Sequence, residues 1–401
     1  VNLQEKYEED SWQYQIVNEK MYQTIKTYNE CKYALEPNEE SLEVAEKEYN
    51  RYLELLESDD WKYFAKEDLE QVKAQIAKLE EDKGKAIDLV EQDMLEGELY
   101  EQNLQKQILE WRLEKDISYT DERSYLLNRY KSNQLDIQAY ENNNEDKTYS
   151  DKLQYQDELK EANISRYAIE HDIKMSMGND FKGLLEDFFS NFELFIIVII
   201  VMIAGSIVSE EFNKGTIKLL LVKPYSRTKI LLSKYITVLL TIIFTTITVI
   251  AMQTIVGGLF FGFDDLKVPT LAYNFITNSV MEMNIFSYLG IVLLHKLPQY
   301  ILIATIAFSF STATNTPVAI VISLLGYMST TIINAFVREF NIVFMKFFIT
   351  PNWDLTQYLF RQLPEFEFVN FNFSIAICVI YLILMIIPTF IVFKRRNIKN
   401  V

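Results

Sequence analysis

Two cysteines and two histidines among 401 residues leave little with which to staple a fold or hold a metal. Cys31 lies in a charged stretch and Cys378 in an apolar run, so the two are poor disulfide partners. His171 and His295 fall in regions of opposite character, and no Cys-x-x-Cys or His-Glu-x-x-His spacing accompanies them, which excludes the usual transition-metal sites. A phosphate-binding G-x-x-x-x-G-K-[ST] loop is missing too. Lys214-Gly215-Thr216 lacks the first glycine and the intervening loop, so ATP hydrolysis by that route is excluded. Serines and carboxylates are plentiful but fall into no catalytic set, and a non-enzyme is expected. Of eight prolines only Pro37 precedes Phe188, and glycines are few there.

What is present divides sharply. Before Phe188 stand 46 of the 56 acidic and 24 of the 39 basic residues. The remainder is weakly basic and built around long apolar runs. Averages such as 49% hydrophobic residues and a net charge of -17 therefore conceal two halves, 1–190 and 191–401.

Five runs in the second half approach or exceed the roughly 20 residues that span a bilayer as helix. They are Phe192 to Val208, Ile230 to Phe261, Phe286 to Thr312, Pro317 to Val337 and Phe373 to Phe393. Lys214, Lys218, Lys223, Arg227, Lys229 and Lys234 follow the first run, and Lys394, Arg395, Arg396 and Lys399 follow the last. Excess Lys and Arg mark cytoplasmic loops, and with five spans both places fall on one side. The acidic half and the loops carrying Asp264, Asp265, Glu282, Glu339, Asp354, Glu365 and Glu367 then lie outside. His295, Lys296 and Pro298 interrupt the third run, whose outer part is expected to be kinked, interfacial or re-entrant. Lys296 either marks a transport path or snorkels to the headgroups, and the second is the simpler expectation. Residues 338–372, with Pro351, Trp353 and many aromatics, read as an outer cap or re-entrant hairpin with an interfacial aromatic belt.

In the acidic half, Glu, Lys, Gln, Leu and Tyr favour helices. Ala65, Leu69, Val72, Ile76 and Leu79 form a coiled-coil-like seam, resumed by Ala86 and Val90 and then by Leu104, Ile108 and Trp111. Gly84 is either a turn between antiparallel helices or a weak point in a longer one. Pro37, Ser58-Asp59-Asp60, Tyr119-Thr120-Asp121 and Asn142-Asn143-Asn144 read as helix breaks. The stretch from Trp111 to Ile117 resembles that from Tyr167 to Ile173, too briefly for a repeat architecture. This half is either a solvated stalk or a hairpin that binds a substrate, partner or cell-wall component. Its charge excludes nucleic acid, which it would repel.

The segment Ser206-Ile-Val-Ser-Glu-Glu-Phe-Asn-Lys-Gly-Thr-Ile-Lys-Leu-Leu-Leu-Val-Lys-Pro-Tyr-Ser-Arg-Thr-Lys-Ile-Leu-Leu-Ser-Lys234 resembles the signature loop of ABC-2-type ABC transporter permeases. Ser311-Thr312-Ala-Thr-Asn315 resembles the short inner turn of the same proteins. The likeness covers roughly Asn191 to Lys399. It extends over the whole chain in Gram-positive relatives that carry a charged helical domain between their first two spans.

The resemblance implies an all-α polytopic helix bundle in the plasma membrane of a Gram-positive bacterium. Six spans are expected, five of them present here and one preceding Val1, with an extracellular helical domain and a cytoplasmic C-terminus. It implies a partner ABC ATPase that binds ATP and Mg, no cofactor in this chain itself, and a second permease, identical or paralogous, in a lipid bilayer. The ATPase-coupling element would lie in 209–229. There Glu210 and Glu211 meet basic groups of the ATPase, and Gly215 and Thr216 turn into a short amphipathic helix, Ile217 to Val222, that carries Lys218. Pro224 ends that helix, and Ser226 caps the next, which enters the membrane through Arg227 and Lys229. His295, Lys296 and Pro298 are candidates for the path or the interface. The competing expectation is a non-transporting receptor or scaffold of the phage-infection-protein or type VII secretion accessory kind. A sensor is a third.

Overall fold

The computed structural model describes residues 7–18, 22–32, 39–58, 60–143, 146–176, 180–217 and 225–396. Pro37, Asp59, Asn144, Lys218, Lys223, Pro224, Lys399 and most of the expected amphipathic helix lie outside them. Two compact units divide the chain, Val1–Met175 and Ser176–Val401.

The first unit is helical. Helices α1 (Trp12–Ile16), α2 (Tyr22–Lys32) and α3 (Glu39–Leu56) precede two antiparallel pairs, α4 (Trp61–Lys85) with α5 (Leu89–Glu114) and α6 (Ser124–Asn142) with α7 (Tyr149–Glu170). Capping side chains set the boundaries: Asp60 accepts from the Lys62 N–H, and Thr148 forms a reciprocal capping box with Asp151. Helix α4 runs through Gly84 to Lys85, so the turn falls beyond that glycine, where Asp88 caps α5. Leu69 and Val72 of the expected seam pack on Leu109, with Ile76 partly buried beside them. Ile16, Leu55, Leu56, Phe64 and Tyr119 make a second core.

The likeness between the Trp111 and Tyr167 stretches has a structural cause. Each ends a helix with an aspartate in the left-handed region, Asp116 and Asp172, both at φ 53°. The next residue then turns back: Ile117 N–H donates to the Arg112 carbonyl and Ile173 N–H to the Ala168 carbonyl, both at 2.9 Å. Both isoleucines are buried. These are two copies of one helix stop, and Lys115 of the first donates to the Glu170 carbonyl of the second at 2.8 Å.

Beside the first stop, Arg123 holds the Asp121 carboxylate below its ordinary range, chiefly through their side-chain hydrogen bond. A lowered folded-state pKa stabilises above the unfolded value of about 4 and is lost as pH falls through the folded value. Asp121→Asn should therefore flatten the fall of melting temperature between neutral and acid pH. A profile parallel to that of the unaltered chain would contradict this.

Among its described residues the second unit holds five helices long and apolar enough to cross a membrane. They are α9 (Phe188–Ser206), α11 (Arg227–Phe261), α12 (Ile285–Ala313), α13 (Thr316–Glu339) and α14 (Phe371–Arg395), with short α8 (Phe181–Glu186) before the first and α10 (Ser209–Asn213) after it. The five expected spans are thus present. Helix α12 packs on α9, α13 and α14, and α11 also lies on α9. Ile196, Ile200, Ala204, Tyr300, Ile303 and Phe308 fill the centre. Phe181, Leu185 and Phe188 belong to the same core, so the change of composition at 190–191 falls inside this unit.

Three features differ from expectation. Of the kinked, interfacial and re-entrant alternatives for the outer part of α12 the re-entrant one fails, since the helix is continuous across Pro298. Between α11 and α12 lies an antiparallel hairpin, β1 (Thr270–Asn274) with β2 (Ser279–Met283), Thr270 opposite Met283. Trp353 is 2% exposed and packed in the core, not in an interfacial belt, between 3-10 turns at Val343–Phe347 and Leu355–Arg361.

Gly257 and Gly258 of α11 admit aromatic rings. A Cβ on Gly257 would run into the Phe181 ring, and one on Gly258, closer still, into the Phe263 ring. Phe181 is wholly buried and has nowhere to go, whereas Phe263 is 51% exposed and can swing away. Gly257→Ala should cost about 2 kcal/mol, as overpacking does, and Gly258→Ala clearly less despite its closer contact. Thermal unfolding in detergent reads the difference, and equal losses would contradict it.

Candidate functional site

At one end of the bundle the loop residues meet the ends of four long helices. Val208 and Ser209 donate their N–H groups to Ser311 Oγ at 3.2 and 3.0 Å, and Ser209 Oγ pairs with Thr316 Oγ1 at 2.7 Å. These bonds tie the start of α10 to the turn between α12 and α13. Phe212 meets Phe393 edge-on, and the Arg396 guanidinium lies 3.9 Å from the Phe212 ring centroid, a cation–π contact. Arg396 donates to the Thr312 carbonyl, while Arg227 donates to the carbonyls of Lys394 and Arg396 at 3.1 Å each. The carbonyls at the end of a helix attract cations, and Arg227 uses this to join the start of α11 to the end of α14.

The two glutamates of this segment differ. Glu211 is taken by Lys234, whose ammonium also donates to the Ile207 carbonyl at 2.9 Å, and both side chains are largely buried. Glu210 is half exposed and pairs with Lys214 one turn away at 2.9 Å, a weak surface interaction. One of the expected pair is therefore used internally and one faces outward. Gly215 has φ 68° with open space around it, so glycine serves the backbone there and not packing. Thr216 Oγ1 reaches the Glu211 carbonyl at 3.5 Å. Ser226 caps α11 by accepting from the Lys229 N–H at 3.3 Å, as expected, and Lys229 itself is exposed.

The residues from α12 lie at the opposite end, about 22 Å from Ser311 along the helix. Lys296 does not snorkel. It is 7% exposed and pairs with Glu193 of α9 at 3.0 Å and with Asp354 at 2.7 Å. About 20 residues counted back from Ala313 reach Leu294, which puts this triad at one boundary of the apolar layer. His295 Nδ1 bonds its own helix at the Ile291 carbonyl at 2.8 Å, and its ring leans on Phe371. Pro298 sits two residues, about half a turn, beyond Lys296 inside the helix.

Two cavities open here. One of about 650 Å³ is lined by Glu193, Gln299, Tyr327, Asn334, Thr350 and Asp354, among others. The other, of about 480 Å³, lies between His295, Tyr358, Phe360 and Phe371. Phe360 and Arg361 both hold positive φ beside the second, backbone strain of the kind that collects at functional sites.

Sequence reasoning missed Glu193 and Asp354 as the partners of Lys296, and Lys234 and Arg396 as those of Glu211 and Phe212. A lone carboxylate near the start of an apolar span was the available signal for Glu193. Among the described residues no His, Cys, Asp and Glu group is arranged to hold a metal.

The chain is 31% identical over 238 residues to "Uncharacterized protein YhcI" of Bacillus subtilis (strain 168), covering 59% of this chain and 75% of that one. It is 27% identical over 235 residues to "Uncharacterized membrane protein YdbK" of the same organism, covering 57% and 88%. No solved structure matches it significantly. Five apolar helices and a membrane-protein relative make this a membrane protein. Residues 154–399, more than half of the chain, match the family described as "Protein of unknown function (DUF2705)", and to that family the chain belongs.

Proposed function

We propose that the chain is the membrane-spanning subunit of an ABC exporter, of the ABC-2 type, driven by a separate ATPase. One observation carries the reading: α10, which exposes Glu210 and Asn213, is held through Ser209, Glu211 and Phe212 to the ends of α11, α12, α13 and α14 at once. A push on Glu210 and its neighbours would reach four spans through short, buried contacts, as a coupling element requires. The likeness of residues 206–234 to the permease signature supports the same role. In this reading the loop end is cytoplasmic, the acidic helical unit is extracellular, and a second permease copy or paralogue completes the path. ATP and Mg belong to the partner.

The test is purification of the tagged full chain from its native membranes with a non-hydrolysable ATP analogue present. An ATPase bearing the phosphate loop that this chain lacks should accompany it in near-stoichiometric amount. Purification without any nucleotide-binding protein would count against the reading.

One observation favours the receptor or scaffold alternative. The tip of the α4–α5 pair exposes Ile87, Leu89, Val90 and Met94, which a plain solvated stalk does not need. Replacing all four by serine would abolish surface binding in a receptor and leave transport intact in an exporter.

A further inference from the structure

The 650 Å³ cavity above Lys296 has a chemistry that no role yet described uses. Its wall on α13 is a polar stripe, Tyr327, Thr330, Thr331, Asn334 and Arg338, spaced to share one face of a helix that is mostly apolar elsewhere. Lipid would not solvate such a stripe, so it faces a hydrophilic occupant. Its charges do not balance. Glu193, Asp354, Glu339 and Glu365 line it against Arg338, with Lys296 paired to Glu193 and Asp354. Arg338 is already committed to Glu365. Four carboxylates thus face two cations.

Three side-chain oxygens in the lining also stand without hydrogen-bond partners among the described residues, Glu193 Oε1 being the first. Thr350 is 9% exposed and its Oγ1 is unbonded, as is the buried Oδ1 of Asn334. Buried polar atoms of this kind are ordinarily satisfied, and an oxygen-rich lining with surplus negative charge is satisfied by a donor that carries positive charge. The volume narrows the class further. About 300–1,000 Å³ suits an organic molecule, whereas a single water-sized ion occupies only about 30 Å³.

We propose that this cavity binds a hydrophilic organic cation, an amine or guanidine with further hydrogen-bonding groups. Its charged end lies against Glu193 and Asp354 beside Lys296, and its neutral polar groups meet Thr350, Asn334 and the α13 stripe. The inference deepens the exporter reading by naming a class of solute. Binding to the chain alone needs no ATPase, so the failure of either idea is seen separately.

The experiment is calorimetric titration of the full chain in nanodiscs with argininamide and its isostere citrullinamide, both acetylated on the α-amine so that only the first carries a charge, with glutamate, and with sodium chloride. Argininamide should bind at least about tenfold more tightly than citrullinamide, with no heat from glutamate. Glu193→Gln should weaken argininamide about tenfold. Thr350→Val, which removes a hydroxyl that has no partner and so spares the fold, should weaken it a few-fold. If Glu193→Gln is not recovered folded, Asp354→Asn replaces it with the same expected loss. Equal affinity for the two amides, binding unchanged in the variants, binding of sodium but of neither amide, or no binding at all would each overturn the proposal.

Discussion

Replacing Lys296 by leucine is expected to destabilise the membrane unit by about 3 kcal/mol, read as a lower melting temperature in detergent. The ammonium neutralises two carboxylates from different segments, and its loss leaves Glu193, 17% exposed, as an uncompensated charge between helices. The cost stays at the low end for broken buried pairs because Asp354 keeps a third of its side chain in contact with solvent and can turn outward. The double variant Lys296→Leu with Glu193→Leu should recover most of the loss, since apolar groups of similar volume can replace a buried pair without penalty. A single variant as stable as the unaltered chain would show that the triad does not hold α9, α12 and the 3-10 segment together.

The two adjacent glutamates should respond in opposite ways to charge reversal. Glu210→Lys should reduce recovery of the partner ATPase with the chain by about tenfold or more, while the melting temperature stays within a degree or so. Glu210 is half exposed and pairs with Lys214 at the surface, so its loss costs the fold little. Glu211→Lys should instead destabilise by about 3 kcal/mol, because it sets a second ammonium against the largely buried Lys234. Measuring melting and co-purification for both variants separates docking from folding. If both lose the ATPase and keep their stability, Glu211 is a docking group and its pairing with Lys234 is dispensable.

Much of the fold could be read from local chemistry. The five spans follow from apolar length alone, and the breaks at Asp60 and before Tyr149 follow from side chains that cap helices. What escaped depends on contacts distant in sequence. Lys296 was visible as a charge inside an apolar run, but Glu193 lies 103 residues away and Asp354 58 residues away, so snorkelling was the simpler expectation. The same holds for Glu211, whose carboxylate meets Lys234 on another helix. Trp353 looked interfacial because Pro351 and aromatics surround it, and only packing against Tyr327 and the core buries it. The β-hairpin was hidden because Thr270–Asn274 and Ser279–Met283 are five residues each and alternate weakly. The resemblance between the Trp111 and Tyr167 stretches was legible, but its meaning was not until both proved to end helices through a left-handed aspartate.

Whether the α10 segment touches a separate ATPase is read directly by one measurement. A photo-crosslinking amino acid placed at Glu210 in the full chain, activated in native membranes with and without ATP, reports what touches that position. One main adduct is expected, a protein with a phosphate-binding loop, whose yield changes when ATP is added. Adducts to lipid alone, or to proteins without a nucleotide site, would contradict it.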